Sequence, residues 1–260
     1  MGYFMYGTLL ILLSEAVYHS YQAVKNWHNR KLAQKELWSV ILTNELTLSC
    51  PTSHQGTKYG YITIPSNSGK LFDKISVIER GPLCSNAYCM DSNFRLIKDL
   101  LYATKYSIDL AMFTITSVTM ARALAEASLR GVIVRVITDA NGAFMANSQI
   151  LYLLRYGVGV RHKQIDKSLM HHKFCVLDSP STIKYLLENQ KRSNARILKE
   201  IDNLSSVLMT GSLNWTTQGF SGNYENVLLT NQKQMIQEYS DEFQNMWELL
   251  APALKPQNVF

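Results

Sequence analysis

Apolar and polar positions change their period several times along the chain. Residues 3–13 read YFMYGTLLILL, continuously apolar or aromatic, before Ser14 and Glu15 interrupt them. From 26 to 48 the pattern turns helical and charged, with Leu32, Leu37, Val40, Ile41 and Leu42 as apolar contacts, and predicts a linking helix. YGYITI at 59–64 and KISVI at 74–78 predict two short strands of a hairpin. Helices and strands then alternate. A helix capped by Asp91 or Ser92 runs to Lys105, with Phe94, Ile97, Leu100 and Leu101 at helical spacing, and SIDLAMFT at 107–114 follows as a strand. A helix over 117–130 closed by Gly131, a buried strand over 132–138, a helix over 146–156 and an extended piece at 158–161 come next. MHHKFCVLD at 170–178, 206–211 and 226–230 read as three more strands, and 232–250 is the closing helix with Trp247 and Leu250 in the core.

This alternation predicts an α/β layered sheet. Four units follow: residues 1–24 as a membrane anchor, 25–48 as a linker helix, 49–90 as a strand hairpin and 91–255 as a catalytic domain. The clean apolar run near the N-terminus is shorter than the ~20 residues that usually cross a bilayer, and Glu15 is costly within it. No small-residue cleavage site follows, which favours a retained signal anchor over a removed peptide. Lys25, Arg30 and Lys31 on its C-terminal side place the body of the protein in the cytosol.

Charge narrows the partners. The chain has a formal net charge of +6 and a sequence pI near 9.0, which favours nucleic acid or an anionic membrane surface. The segment 179–205 is polar and basic, with Lys184, Lys191, Arg192, Arg196 and Lys199, and reads as a solvated excursion outside any site. Arg161, Lys163 and Lys167 stand closer in sequence to the candidate chemistry and are the candidate contacts for a phosphate backbone.

That chemistry lies in 170–178. His171, Lys173 and Asp178 fall in the order His-x-Lys-x4-Asp, and on a strand His171 and Lys173 share a face. A nucleophile or proton carrier beside a fixed positive charge suits attack on phosphorus while the anionic oxygens are neutralised. His172, pointing oppositely, reads as a groove wall or a core residue, the core being the favoured reading. A lone His-x-Lys pair is weak, since a polar strand face explains it equally well; its conjunction with Gly-Ser-x-Asn at 211–214 and with Glu225 strengthens it.

Four cysteines do not make a disulfide framework in a chain without secretory context. Cys50 and His54, with Cys84 and Cys89, supply the number and softness of ligands for a closed tetrahedral zinc site; the alternative is buried thiols and a surface histidine.

His-x-Lys-x4-Asp followed by Gly-Ser-x-Asn resembles the signature of the phospholipase D superfamily. HHKFCVLD, GSLNWT and NYENVLLT, with one motif copy and an anchor-like N-terminus, resemble its mitochondrial cardiolipin hydrolase group, also called Zucchini. The stretch between Asp178 and Gly211 is much longer than the family's. The resemblance implies a layered α/β/α sandwich with a mixed sheet, a structural zinc in the 49–90 insertion and an outer mitochondrial membrane address facing the cytosol. It implies a phosphohistidine on His171, with Lys173, Asn214 and Ser212 holding the phosphate oxygens, Glu225 orienting the histidine, Asp178 structural and no catalytic metal. Two motif copies face each other in the family, so a single copy implies a homodimer with a shared site. Three functions fit: an endonuclease cutting single-stranded RNA (and possibly single-stranded DNA) to leave 5′-phosphates in the processing of PIWI-interacting RNA precursors, a phospholipase converting cardiolipin to phosphatidic acid, or a silent RNA-binding scaffold.

Overall fold

The computed structural model describes residues 14–25, 37–47, 88–189, 195–201 and 204–252. Residues 14–25 form a helix, α1, with Val17, Tyr18, Tyr21 and Val24 exposed. Among the described residues no helix is long and apolar enough to cross a membrane. The apolar run 3–13 and both strands of the expected hairpin lie outside the described residues.

The first correction falls at the expected linker helix. Trp38–Thr43 is a strand, β1, paired antiparallel with Glu225–Thr230, β7, so that Ile41 faces Val227. WSVILT mixes β-branched and aromatic residues, and its burial alternates with Ile41 and Thr43 inward and Val40 and Leu42 out. A period of two has overridden the helical reading.

The remaining elements follow in order. Met90–Ala103 is α2, Ser107–Met112 is β2, Val118–Leu129 is α3 and Ile133–Asp139 is β3. A short helix not expected from the sequence, Ala140–Ala143 (α4), follows β3, and the helix expected over 146–156 is shortened to Ile150–Arg155 (α5), because the chain before it is tied down elsewhere: the Gln149 amide donates to the Ile115 carbonyl at 2.9 Å. Gly159–Lys163 is β4 and Lys173–Leu177 is β5. Pro180–Asn189 (α6), Ala195–Ile201 (α7), Val207–Gly211 (β6) and Thr217–Phe220 (α8) precede β7, and Lys233–Leu249 (α9) and Ala251–Pro252 (β8) close the described chain.

One mixed sheet runs β1-β7-β6-β5-β2-β3-β4-β8, with β2, β3 and β4 parallel and the other pairings antiparallel. Alternate residues of each strand enter two cores. Leu110, Cys175, Met209 and Val227 pack with Ile97, Leu101, Leu124 and Leu153 of the helices α2, α3 and α5. Ala111, Phe174, Val176 and Leu208 meet Ile236 and Phe243 of α9 on the other face. Helices on both faces bury the central strands, whose apolar runs are interrupted by a few matched polar groups such as Asp109 and Arg135.

The described parts of the basic segment 179–205 pack on the body. Thr182, Ile183 and Ile201 are buried, and α6 packs on α9. Beneath it Arg135 makes a bidentate pair with Asp109 at 2.7 and 2.8 Å, Thr182 donates to the same carboxylate at 2.7 Å, and Arg135 donates to Gln244 at 2.9 Å. The guanidinium also lies 4.9 Å from the Phe243 ring centre and 5.2 Å from that of Trp247. A buried charge pair needs such full matching, and it ties α6, α9, β2 and β3 together.

Candidate active site

Four strand ends meet at one edge of the sheet. Met112 at the end of β2 pairs with Lys173 at the start of β5, Phe174 pairs with Thr210, and Gly211 at the end of β6 pairs with Val227 on β7. Lys173 shares its strand face with Cys175 and Leu177, and Glu225 shares its own with Val227 and Leu229, all of them on the α2 and α3 side. The two charged groups therefore project into the same space.

Lys173 is 9% exposed, its Nζ donating to the His171 carbonyl at 2.7 Å and lying 5.4 Å from the centre of the Phe113 ring. Burial lowers its pKa from the ordinary lysine value, and the charge of Glu225 opposes that shift. His171 precedes β5, so a loop presents it: the imidazole is exposed and its ring centre stands 5.1 Å from that of Phe113. Phe113 is not marked by the sequence pattern, because within SIDLAMFT it is one more apolar strand position.

Gly211 lets β6 cross closely to β7. A Cβ there would come within 2.0 Å of the Asn226 carbonyl oxygen. The turn is held by Ser212, whose amide donates to the Asn226 carbonyl at 3.0 Å and whose Oγ accepts from the Asn226 amide at 3.1 Å. Asn214 is then half-buried with its Oδ1 inaccessible to solvent and without a partner among the described residues. A buried acceptor left unmatched is rare; it calls for a donor, and a phosphate oxygen is met instead by the Nδ2 donor of the same amide. The Glu225 carboxylate accepts from Asn223 at 3.2 Å.

His171, Lys173, Ser212, Asn214 and Glu225 thus stand together on a mixed sheet. The family described as cardiolipin synthase, PLD-like domain, matches residues 97–247. The chain belongs to the phospholipase D superfamily. It is a phosphodiesterase of that superfamily. Mitochondrial cardiolipin hydrolase of Drosophila melanogaster is 32% identical over 93% of this chain and 86% of its own length. The protein of that name from Homo sapiens is 35% identical over 69% of the chain, which spans 60% of the human protein. NucT from Helicobacter pylori shares the fold at a TM-score of 0.50, with 20% identity over 63% of this chain and 92% of its own.

The last residue of the superfamily motif lies elsewhere. Asp178 closes the far end of β5 in the left-handed region, φ 51°, its carboxylate accepting from the amides of Lys105, Tyr106 and Ser107 at 2.9, 2.7 and 3.0 Å. Burial pushes its pKa up and those three amides pull it partly back.

Beside His171 runs a groove of about 390 Å³, walled by Leu169, Met170, Met246, Leu249 and Leu250 with His172 and Lys163 on its rim. His172 is a correction: it is half exposed, with Nε2 3.9 Å from Glu242 and its ring against Phe174, because the chain has not yet entered the strand there. Trp247 packs on the second core, whereas Leu250 both packs there and lines the groove.

The three basic candidates separate. The Arg161 guanidinium lies over the Trp247 ring at 4.7 Å and through one nitrogen, Nη1, donates to the carbonyls of Trp247 and Leu250, closing the C-terminus of α9. Lys163 pairs with Asp166 on the groove rim, and Lys167 is exposed. Cys50, His54 and Cys84 lie outside the described residues. Cys89, just before α2, is buried at 1% exposure, and among the described residues no cluster could hold a metal ion.

Proposed function

We propose that the protein is a metal-independent phosphodiesterase working through a phosphohistidine, and that two copies build one active site. The observation that carries this reading is the meeting of His171, Lys173, Asn214 and Glu225 at the same ends of neighbouring strands, with the Lys173 ammonium bonded to the His171 carbonyl and under the charge of Glu225. His171 of one subunit attacks phosphorus and forms a P–N bond while the partner subunit's His171 protonates the departing oxygen. The same partner histidine then deprotonates a water that cleaves the P–N bond. Lys173 and Asn214 hold the non-bridging oxygens with help from Ser212, and Glu225 balances the charge that collects there. The exposed Leu169 and Leu249 beside His171 offer the second copy an apolar surface.

Single-stranded RNA is the substrate we favour, on the net charge of +6 and on Lys163 at the groove rim. In this reading the enzyme is anchored through residues 1–24 to the outer mitochondrial membrane, faces the cytosol and cuts precursors of PIWI-interacting RNAs to leave 5′-phosphates. The relatives' name supports the mitochondrial address. A second reading, cardiolipin hydrolysis to phosphatidic acid, has that name and the aliphatic groove wall in its favour. A zinc held by Cys50, His54, Cys84 and Cys89 would be structural, all four positions being filled by protein; this donor set and the burial of Cys89 fit it.

Purified protein given single-stranded RNA and, separately, cardiolipin vesicles decides the substrate. RNA fragments with 5′-phosphates, absent with His171→Asn, are expected. Phosphatidic acid with intact RNA would replace the first reading by the second, and RNA binding without turnover would leave a scaffold.

A further inference from the structure

Phe113 touches both reactive side chains and is fixed more firmly than an apolar residue at a strand end requires. Its ring centre stands 5.1 Å from the His171 ring, tilted by 56°, and 5.4 Å from the Lys173 ammonium. Its amide donates to the His172 carbonyl at 3.2 Å, so the residue carrying the ring is bonded to the loop that carries the imidazole. Its carbonyl accepts from the buried Thr138 hydroxyl at 3.0 Å and presses against Gly142, where a Cβ would lie 1.9 Å from the carbonyl oxygen. Only glycine at 142 permits that approach.

These contacts form one device. Thr138 at the end of β3 and Gly142 in α4 fix the backbone of Phe113, and the ring then limits the imidazole on one side and the ammonium on another. Among the described residues Phe113 is the ring that packs on the His171 imidazole, which is exposed and precedes the strand. An aromatic face also attracts a cation, so the ring holds Lys173 by more than its bulk.

We infer that Phe113 is a positioning residue for this reaction: its ring sets the plane of the His171 imidazole and keeps the Lys173 ammonium at the imidazole's flank, with Thr138 and Gly142 fixing the ring. The inference rests on the reading of His171 as the nucleophile. A group that is misplaced by an ångström loses on the order of 100-fold in rate, and the loss falls on turnover when binding of the substrate is left alone.

The test compares Phe113→Leu, which keeps an apolar side chain of similar bulk, with Phe113→Tyr, which keeps the ring. The expected result is a kcat lowered about 10- to 100-fold in Phe113→Leu with KM within about twofold, and a kcat within about threefold of wild type in Phe113→Tyr. Gly142→Ala should reproduce the leucine defect with the ring still present, and Thr138→Val should give a smaller loss of the same kind. Wild-type turnover in Phe113→Leu, an equal loss in Phe113→Tyr, or a loss carried by KM would overturn the inference. His171→Asn run in parallel keeps the two ideas apart: residual turnover there defeats the nucleophile assignment, whereas an inactive His171→Asn with an unaffected Phe113→Leu defeats only the positioning role.

Discussion

Strand β5 carries the superfamily motif from one end to the other, and its two ends are built on opposite terms. Lys173 and Asp178 are five residues apart, roughly 17 Å along an extended chain, so the aspartate cannot reach a phosphate held by the lysine. At the Asp178 end the carboxylate takes three amides, the Asp178 amide donates to the Ser107 carbonyl at 2.9 Å, and the Asp178 carbonyl accepts from Ser206 at 2.7 Å. At the Lys173 end an ammonium is buried with a carbonyl and an aromatic face for company, the Asn214 oxygen has no partner among the described residues, and His171 stands in solvent. One end satisfies its polar groups and thereby fixes the register of β2, β5 and β6. The other end uses that register to hold polar groups in reserve, which is where a ligand can bind.

The largest effect expected separates the ends outright. His171→Asn should lower turnover by more than about 1000-fold while leaving the thermal midpoint within a few degrees, because the exposed ring supports little packing. Mixed with wild type, the variant should reduce activity as the square of the wild-type fraction if two copies share one site. A linear titration would mean that each chain works alone, and the shared-site reading would fall.

Asp178→Ala should do the reverse. Three amides lose their acceptor in a buried position, and alanine tolerates the left-handed backbone poorly, so a loss of about 3 kcal/mol or more in urea unfolding is expected. Asp178→Asn keeps one acceptor oxygen and the backbone preference, and should cost about 1 kcal/mol. Turnover per folded molecule should stay within about threefold in both. A collapse of kcat in stable Asp178→Asn protein would place the aspartate in the chemistry.

A control outside both ends concerns the metal. Cys84→Ser should lower the thermal midpoint and the zinc content together, whereas brief chelation should leave turnover nearly unchanged. Immediate, reversible loss of activity on chelation would contradict the metal-free scheme in which Lys173 and Asn214 hold the phosphate oxygens.

How much of this was legible beforehand depends on how local the signal is. Most strands and helices from 107 onward, the short helices between 140 and 155 excepted, follow from period and from turn residues such as Ser117, which accepts from the Met120 amide at 3.4 Å, and the chemistry was legible because its residues repeat a superfamily spelling. Three features were not legible. The strand Trp38–Thr43 owes its state to pairing with β7, a partner nearly two hundred residues away in sequence, and charged neighbours disguised its period. The bond from Arg161 to the C-terminus of α9 has no local sign in the sequence, because it forms only when the end of that helix folds back beside β4. Phe113 carries no polar label, and its place beside His171 arises only when β2 and β5 are paired.

The smallest effect bears on what the Lys173 end costs the fold. A buried ammonium is disfavoured, and its pKa is lowered for that reason despite the pull of Glu225. The folded chain therefore favours the neutral amine relative to the unfolded chain. The cost is fully present below the folded-state pKa and disappears as pH rises through it toward the unfolded value of 10.5. Lys173→Met keeps the apolar stem and removes the charge, so at neutral pH it should be more stable than wild type by on the order of 1 kcal/mol while catalysing nothing. The gap between the two proteins should narrow as the solution is made alkaline. Thermal unfolding of both across that range checks the sign: a less stable methionine variant at pH 7 would mean that Glu225, the His171 carbonyl and the Phe113 ring together more than compensate the buried charge, and that this end is as well matched as the other.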